Sequence, residues 1–389
     1  MERLATGWAR PLRARYARNL TVSFDICPLL VRSAGVKTYL YHWIRAIRST
    51  GRLQIRTYPL ALGDQPLDHE RSLFPAPATL WALFRVGRPG VLTARLFGPP
   101  RPRADVFHAS VLTYVAPRRT LLTSTIYDLT HLLNPELHRA GTLTAQRHFE
   151  DYLLPRCRAL VCISESTRRD AERFLRFPAK NLHVIYPGID PRFFDARPWF
   201  AESSRKPAWA AKLPASYVLF LSTIEPRKNL DRLLDAWLKL PRDLRLEHPL
   251  VVAGPEGWHA AATMERLRYH APEVIYLGYV PEGEILGLVA GATVFACPSL
   301  YEGFGFPLAQ AMAAGVPCLT SANSSLQEIA GDAALLVDPL SVSGIRHGLQ
   351  RLLEHPELRQ RYSAWGRQRA RQFTWERSAQ QAADFFESL

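Results

Sequence analysis

Cysteine is scarce. The 389 residues contain five (Cys27, Cys157, Cys162, Cys297 and Cys318), with no CxxC pair among them. That spacing argues against a disulfide framework or a zinc centre, and for buried thiols in a reducing compartment. The twelve histidines include no HExxH pattern, so nothing in the chain asks for a metal. No apolar run reaches the roughly 18 residues of a membrane-spanning helix. The opening stretch, MERLATGWARPLRARYARNL, lacks the uninterrupted apolar core of a secretory signal. The expected location is cytoplasmic, with peripheral attachment to the inner face of a membrane as its variant.

Positive charge, by contrast, is abundant, with 49 Lys and Arg against 35 Asp and Glu, a formal net of +14. Residues 1–58 hold eleven Lys or Arg against Glu2 and Asp25, a net of +9. Such a surface suits solvent, nucleic acid or anionic lipid headgroups, each basic residue near a membrane contributing about 1 kcal/mol. Lipid leads among these, because Leu4, Trp8, Leu12, Tyr16 and Leu20 recur at near-helical spacing along the Arg-rich arm, interrupted by Pro11. No base-reading module or aromatic-basic motif accompanies the charge, so nucleic acid is not an expected partner.

The length, with 47% hydrophobic residues, supports two cores. Short β-prone runs alternate with longer helical segments, which predicts an α/β fold of parallel sheets. Strands are expected at Leu20–Ile26, Leu53–Tyr58, Asp105–His108, Leu121–Tyr127, Ala159–Ile163 and Leu182–Ile185, then at Tyr217–Ser222, Leu250–Gly254, Val274–Leu277, Thr293–Cys297, Pro317–Thr320 and Ala334–Val337. The stretch Pro75–Arg103 reads as a helix between surface loops. The expected division is an arm (1–19), a first Rossmann-like domain (20–198), a linker (199–214), a second Rossmann-like domain (215–372) and a terminal helix (373–389). Asn229 is a good N-cap for the helix that follows it.

Ligand clefts in such folds lie at strand C-terminal ends, which is where LSTIEPRK and PSLYEGFG fall. In the second, Gly303 and Gly305 permit positive φ and close backbone approach, and Pro307 suits a helix start. Free N–H groups at that start favour an anion. Glu302 and Gln310, eight residues apart, have spacing that lets both face one cleft. A solvated helix entry is the competing reading. Arg227 and Lys228 precede another helix N-terminus, where a solvated basic pair competes with an anion site. Gly35, between the first strand and the helix near Thr38, is a structural turn or a second place of close approach.

EGFGFPLAQAMAAGVP (302–317) resembles the signature of glycosyltransferase family 4, retaining enzymes of the GT-B fold that use nucleotide-sugar donors. The similarity continues through SSLQEIAGDAALLVDP (324–339), LFLSTIEPRKNLDRLLDAW (219–237), VIYPGID (184–190) and FTWERSA (373–379). The resemblance implies two Rossmann-like domains facing an interdomain cleft, and a hexosyltransferase, mannosyltransferase-like, acting in cell-surface polysaccharide synthesis. It implies a nucleotide diphosphate sugar as donor, a glycan or lipid-linked acceptor, and no metal or other cofactor. Arg227 and Lys228 would bind the diphosphate and meet the charge developing on it, and Gly35 and the Gly303–Phe304–Gly305 turn would close over the donor from opposite sides. Glu302, matching the family's first acid, would hydrogen-bond the transferred sugar and stabilise positive charge at its anomeric carbon. Retention through front-face attack requires no protein nucleophile.

Two positions depart from the family. Gln310 replaces the second acid, which commonly binds the ribose hydroxyls, and Tyr127 stands with Asp128 where a His-Asp pair is usual near the sugar. Tyr127, Asp128 and His108 are therefore candidate sugar or acceptor contacts, with His131 a further substitute for the missing imidazole. These departures also suggest a competing reading, a non-catalytic nucleotide- or glycan-binding protein on the same scaffold.

Overall fold

The computed structural model describes residues 20–86, 104–114, 116–201, 208–271 and 273–389. The arm 1–19, on which the amphipathic membrane reading rests, and the part of Pro75–Arg103 between 87 and 103 lie outside the described residues. Ala76–Val86 is helical.

Two six-stranded parallel sheets carry the chain. The first comprises β1 (Thr21–Asp25), β2 (Gln54–Tyr58), β3 (Val106–Ala109), β4 (Leu121–Ile126), β5 (Cys157–Cys162) and β6 (Leu182–Val184), in spatial order β2-β1-β3-β4-β5-β6. The second comprises β7 (Val218–Leu221), β8 (Leu250–Ala253), β9 (Val274–Gly278), β10 (Val294–Cys297), β11 (Cys318–Ser321) and β12 (Leu335–Val337), in order β12-β11-β10-β7-β8-β9. Each expected strand segment overlaps one of these, and the doubly wound α/β class stands. Strands such as β8 and β10 are buried at every residue, because helices cover both sheet faces and leave no side to water. All five cysteines are buried free thiols.

The order of the second sheet reverses between β7 and β10. A crevice opens at the carboxyl ends of strands flanking such a reversal, and the segments after β7 and β10 are those that carry Arg227, Lys228 and Glu302. The first sheet reverses between β1 and β3. There Asp25, at the end of β1, accepts hydrogen bonds from the Cys27 amide (2.9 Å), the Ser110 hydroxyl (2.7 Å) and the Thr113 hydroxyl. This buried carboxylate locks the two loops that border its half of the cleft.

Asn229 does not cap the Leu230–Leu238 helix with its side chain. It sits in the left-handed region (φ 62°), which asparagine tolerates, and its Nδ2 donates to the carbonyls of Pro298 and Pro339, each at 2.8 Å. Buried carbonyls require donors. Asn229 therefore pins the loops after β10 and β12 beside the crevice.

The last helix, Trp375–Glu387, packs on Gly35–Ser49 of the first domain, where the Phe386 ring lies 5.7 Å from Phe24 and 6.1 Å from Trp43. Arg52 pairs with Asp384 (2.8 Å) and Glu387 (2.5 Å). Arg32 and Arg45 are likewise paired, with Glu70 and Asp64, and Lys37 is fully buried, donating to the carbonyls of Asp68 (2.9 Å) and Arg71 (2.8 Å). Much of the charge between residues 32 and 52 is thus offset by acidic partners at the surface or, for Lys37, buried. Any membrane attraction rests more on the arm than the simple count over 1–58 implies.

Candidate active site

Glu302 is buried and collects three donors. Lys228 Nζ lies 2.7 Å from Oε1, the Ser299 hydroxyl donates to the same oxygen at 2.9 Å, and Arg227 Nη1 reaches Oε2 at 3.0 Å. Burial alone would raise the Glu302 pKa, but the charges of Lys228 and Arg227 and these hydrogen bonds hold it at about 2 against an ordinary 4.5. It is a carboxylate at any physiological pH.

Arg227 is more fully committed. Nη1 also donates to the Tyr301 carbonyl (2.9 Å), and Nη2 pairs with the buried carboxylate of Glu225 (2.7 Å). Burial works against its charge, and Glu302, Glu225 and Asp128 together overcome that and raise its pKa. Lys228 spends one of its three donors on Glu302. The two cations therefore differ: Arg227 organises the carboxylates, while Lys228 keeps hydrogen-bonding capacity for an incoming anion.

The Gly303–Gly305 turn completes this side. Gly305 takes φ +89° at the head of the Phe306–Ala313 helix. Gly303 does not adopt positive φ, so its small size answers a different need: a Cβ there would lie 1.8 Å from the Tyr127 carbonyl oxygen of the first domain. The Phe304 ring packs on Phe306 and Phe373 (5.1 and 5.5 Å), so only its backbone is available to a ligand. Gly35 opens the Gly35–Ser49 helix opposite, with Phe306 its nearest neighbour across the cleft. Gln310, four residues beyond Phe306 and thus on the same helix face, is half-buried and makes no side-chain hydrogen bond among the described residues.

Tyr127 and Asp128 lie at this seam. The Tyr127 ring meets Tyr39 edge-on at 5.4 Å, and burial, then the charge of Asp25, raises its pKa. The phenol stays protonated. Asp128 accepts from Thr130 and adds its field to Arg227. His108 is elsewhere: it is buried in the first domain, with Nδ1 and Nε2 each 2.9 Å from the hydroxyls of Thr123 and Thr125, and burial lowers its pKa to about 3. Its packing against Phe24, Trp43 and Phe386 makes it a core residue, which corrects its reading as a sugar contact. His131 is bound to Glu150 at 2.5 Å.

The two domains are tied beside the site. Glu328 accepts the amides of Glu165 and Ser166 (2.8 Å each) at the start of the Glu165–Phe174 helix, and the Tyr186 hydroxyl at 2.7 Å. Tyr301 donates to Asp170. Among the described residues no group of three or more His, Cys, Asp or Glu is arranged to hold a metal.

Residues 203–369 match the family described as Glycosyl transferases group 1, and residues 33–193 match Glycosyltransferase Family 4. The chain is 30% identical to the O-antigen chain mannosyltransferase B of Escherichia coli, over 71% of its own length and 72% of that protein. The chain belongs to glycosyltransferase family 4. It is an enzyme of that family, which decides against a non-catalytic binding protein. A second relative, the serotype-specific mannosyltransferase WbdA of Escherichia coli, is 27% identical over 73% of the chain, which spans only 35% of that larger protein. The fold matches Anabaena Alr3699/HepE, solved in complex with UDP and glucose, with a TM-score of 0.70 at 17% identity, covering 95% of this chain and all of that one. This is the GT-B architecture.

Gly303→Ala tests the close approach of the two domains. The added methyl must displace the Tyr127 backbone or part the cleft, at a cost of roughly 1–3 kcal/mol. A lower melting temperature and a larger radius of gyration in X-ray scattering are the expected results.

Proposed function

We propose that this enzyme transfers a hexose, mannose, from a nucleotide diphosphate donor to a glycan or lipid-linked acceptor in the synthesis of a cell-surface polysaccharide. The observation that carries the reading is the convergence of Lys228, Arg227 and Ser299 on buried Glu302 at the strand-order reversal, in a chain 30% identical to an O-antigen mannosyltransferase. Breaking the bond between anomeric carbon and phosphate builds negative charge on the diphosphate and positive charge on the sugar. Lys228 and the amides at the head of the Phe306–Ala313 helix meet the first. Glu302, held ionised, meets the second.

The local charges explain why two cations are needed. Arg227 and Lys228 supply two positive charges against three carboxylates, Glu225, Glu302 and Asp128. The carboxylates outnumber the cations by one, so losing Arg227 would deepen the negative field that the donor diphosphate must enter.

A thermal-shift panel of nucleoside diphosphates and their sugars tests the reading. A guanosine or uridine diphosphate series should raise the melting temperature, with its mannose or other hexose conjugate turned over; no shift with any nucleotide would contradict it. Gln310 offers hydrogen bonds without charge where the family's second acid accepts from ribose. Gln310→Glu should keep turnover and lower the donor KM severalfold, whereas complete loss of turnover would contradict this placement.

A further inference from the structure

The segment after β4 reaches across the cleft. Asp128 Oδ1 accepts both the amide (3.1 Å) and the hydroxyl (2.6 Å) of Thr130, and Thr130 Oγ1 lies 2.9 Å from His138 Nε2. Because the hydroxyl proton is committed to the carboxylate, Oγ1 accepts from the ring, and Nε2 carries a proton. Burial lowers the His138 pKa below 6.5; Asp128 and Glu225 oppose this, while Arg227 and His131 add to it. The resulting neutral ring has an unprotonated Nδ1, which has no hydrogen-bond partner among the described residues.

The residues on either side hold this ring against the second domain. Trp258, in the loop after β8, donates its indole N–H to the Leu137 carbonyl at 2.6 Å, and the Arg139 guanidinium lies 5.3 Å from the same indole. His138 is thus a half-buried imidazole at the seam, within the field of Arg227 and Glu225.

We propose that the Asp128–Thr130–His138 chain fixes His138 as the hydrogen-bond acceptor, through Nδ1, for a sugar hydroxyl bound in the cleft. The inference rests on the glycosyl-transfer reading. The hydroxyl belongs either to the transferred sugar or to the acceptor glycan, and kinetics separate the two.

Two measurements test it. In nitrogen-15 NMR of histidine-labelled protein, with His138→Gln used for assignment, the His138 ring should appear as the Nε2–H tautomer and lose that preference in Thr130→Val. An Nδ1–H ring in the wild type would overturn the proposal without any substrate. In kinetics, His138→Gln, which keeps a donor toward Thr130 but loses the Nδ1 acceptor, should lower transfer about tenfold or more. His138→Asn, which retains an acceptor near Nδ1, should recover most of it. A parallel fall in acceptor-free donor hydrolysis assigns the hydroxyl to the transferred sugar, and a fall in transfer alone assigns it to the acceptor. Unchanged rates in His138→Gln, beside an inactive Glu302→Ala, would overturn the proposal and leave the glycosyl-transfer reading standing. No turnover of any nucleotide sugar by the wild type would remove both.

Discussion

Glu302→Ala should lower kcat by about two to three orders of magnitude while leaving nucleoside diphosphate affinity unchanged or tighter. Both parts follow from what the carboxylate touches. Glu302 supplies the negative charge that steadies the developing cation at the sugar, an electrostatic contribution of roughly 3–4 kcal/mol in comparable sites. It also occupies Lys228 at 2.7 Å, so its removal frees a cation for phosphate. Steady-state kinetics with calorimetric titration of the diphosphate separate the two effects. A loss confined to KM would contradict the assignment.

The same pairing sets an acid limit. With its pKa held at about 2 in the fold against an ordinary 4.5, Glu302 contributes stability that is complete above pH 4.5 and lost as pH falls toward 2. Wild-type stability should decline across that window more steeply than that of Glu302→Gln.

Arg227→Ala should be the most damaging single change to stability, costing about 3–5 kcal/mol, because removing one member of a buried ion cluster leaves its partners unpaired. Glu302 would keep Lys228 and Ser299, but Glu225 would lose the guanidinium that pairs with it at 2.7 Å. Adding Glu225→Gln to Arg227→Ala should therefore recover part of the loss in urea unfolding, and full additivity of the two changes would contradict the pairing. Turnover should be lost in Arg227→Ala as well, since the Glu302 carboxylate is no longer aimed.

Most of the twelve strands are legible as short β-prone runs between turn residues, and where both faces are buried, as in β8 and β10, the run is continuously apolar; β2, at a sheet edge, is only partly buried. Glu302, Lys228 and the glycine turn were legible as a local pattern. What escaped was long-range. Asp25 meets Ser110 and Thr113 more than 80 residues away, and Glu328 caps a helix more than 160 residues earlier; no spacing rule links such pairs. Glu225 carries no local sign of burial in LSTIEPRK, and only its pairing with Arg227 reveals a buried carboxylate. Asn229 has the propensity of a side-chain N-cap, which yields here to two buried carbonyls. His108 sat in a readable strand, but whether its ring faced the core or the cleft depended on packing by Phe386, at the far end of the chain.

In the proposed reaction Lys228 and the neighbouring helix amides hold the diphosphate of a nucleotide sugar. Calorimetric titration of the matching nucleoside diphosphate against the wild type and Lys228→Met tests it most directly. The expected affinity is at least about tenfold weaker in Lys228→Met, the loss of one charge-assisted hydrogen bond, with the melting transition still cooperative. Equal affinity in the two proteins would contradict it.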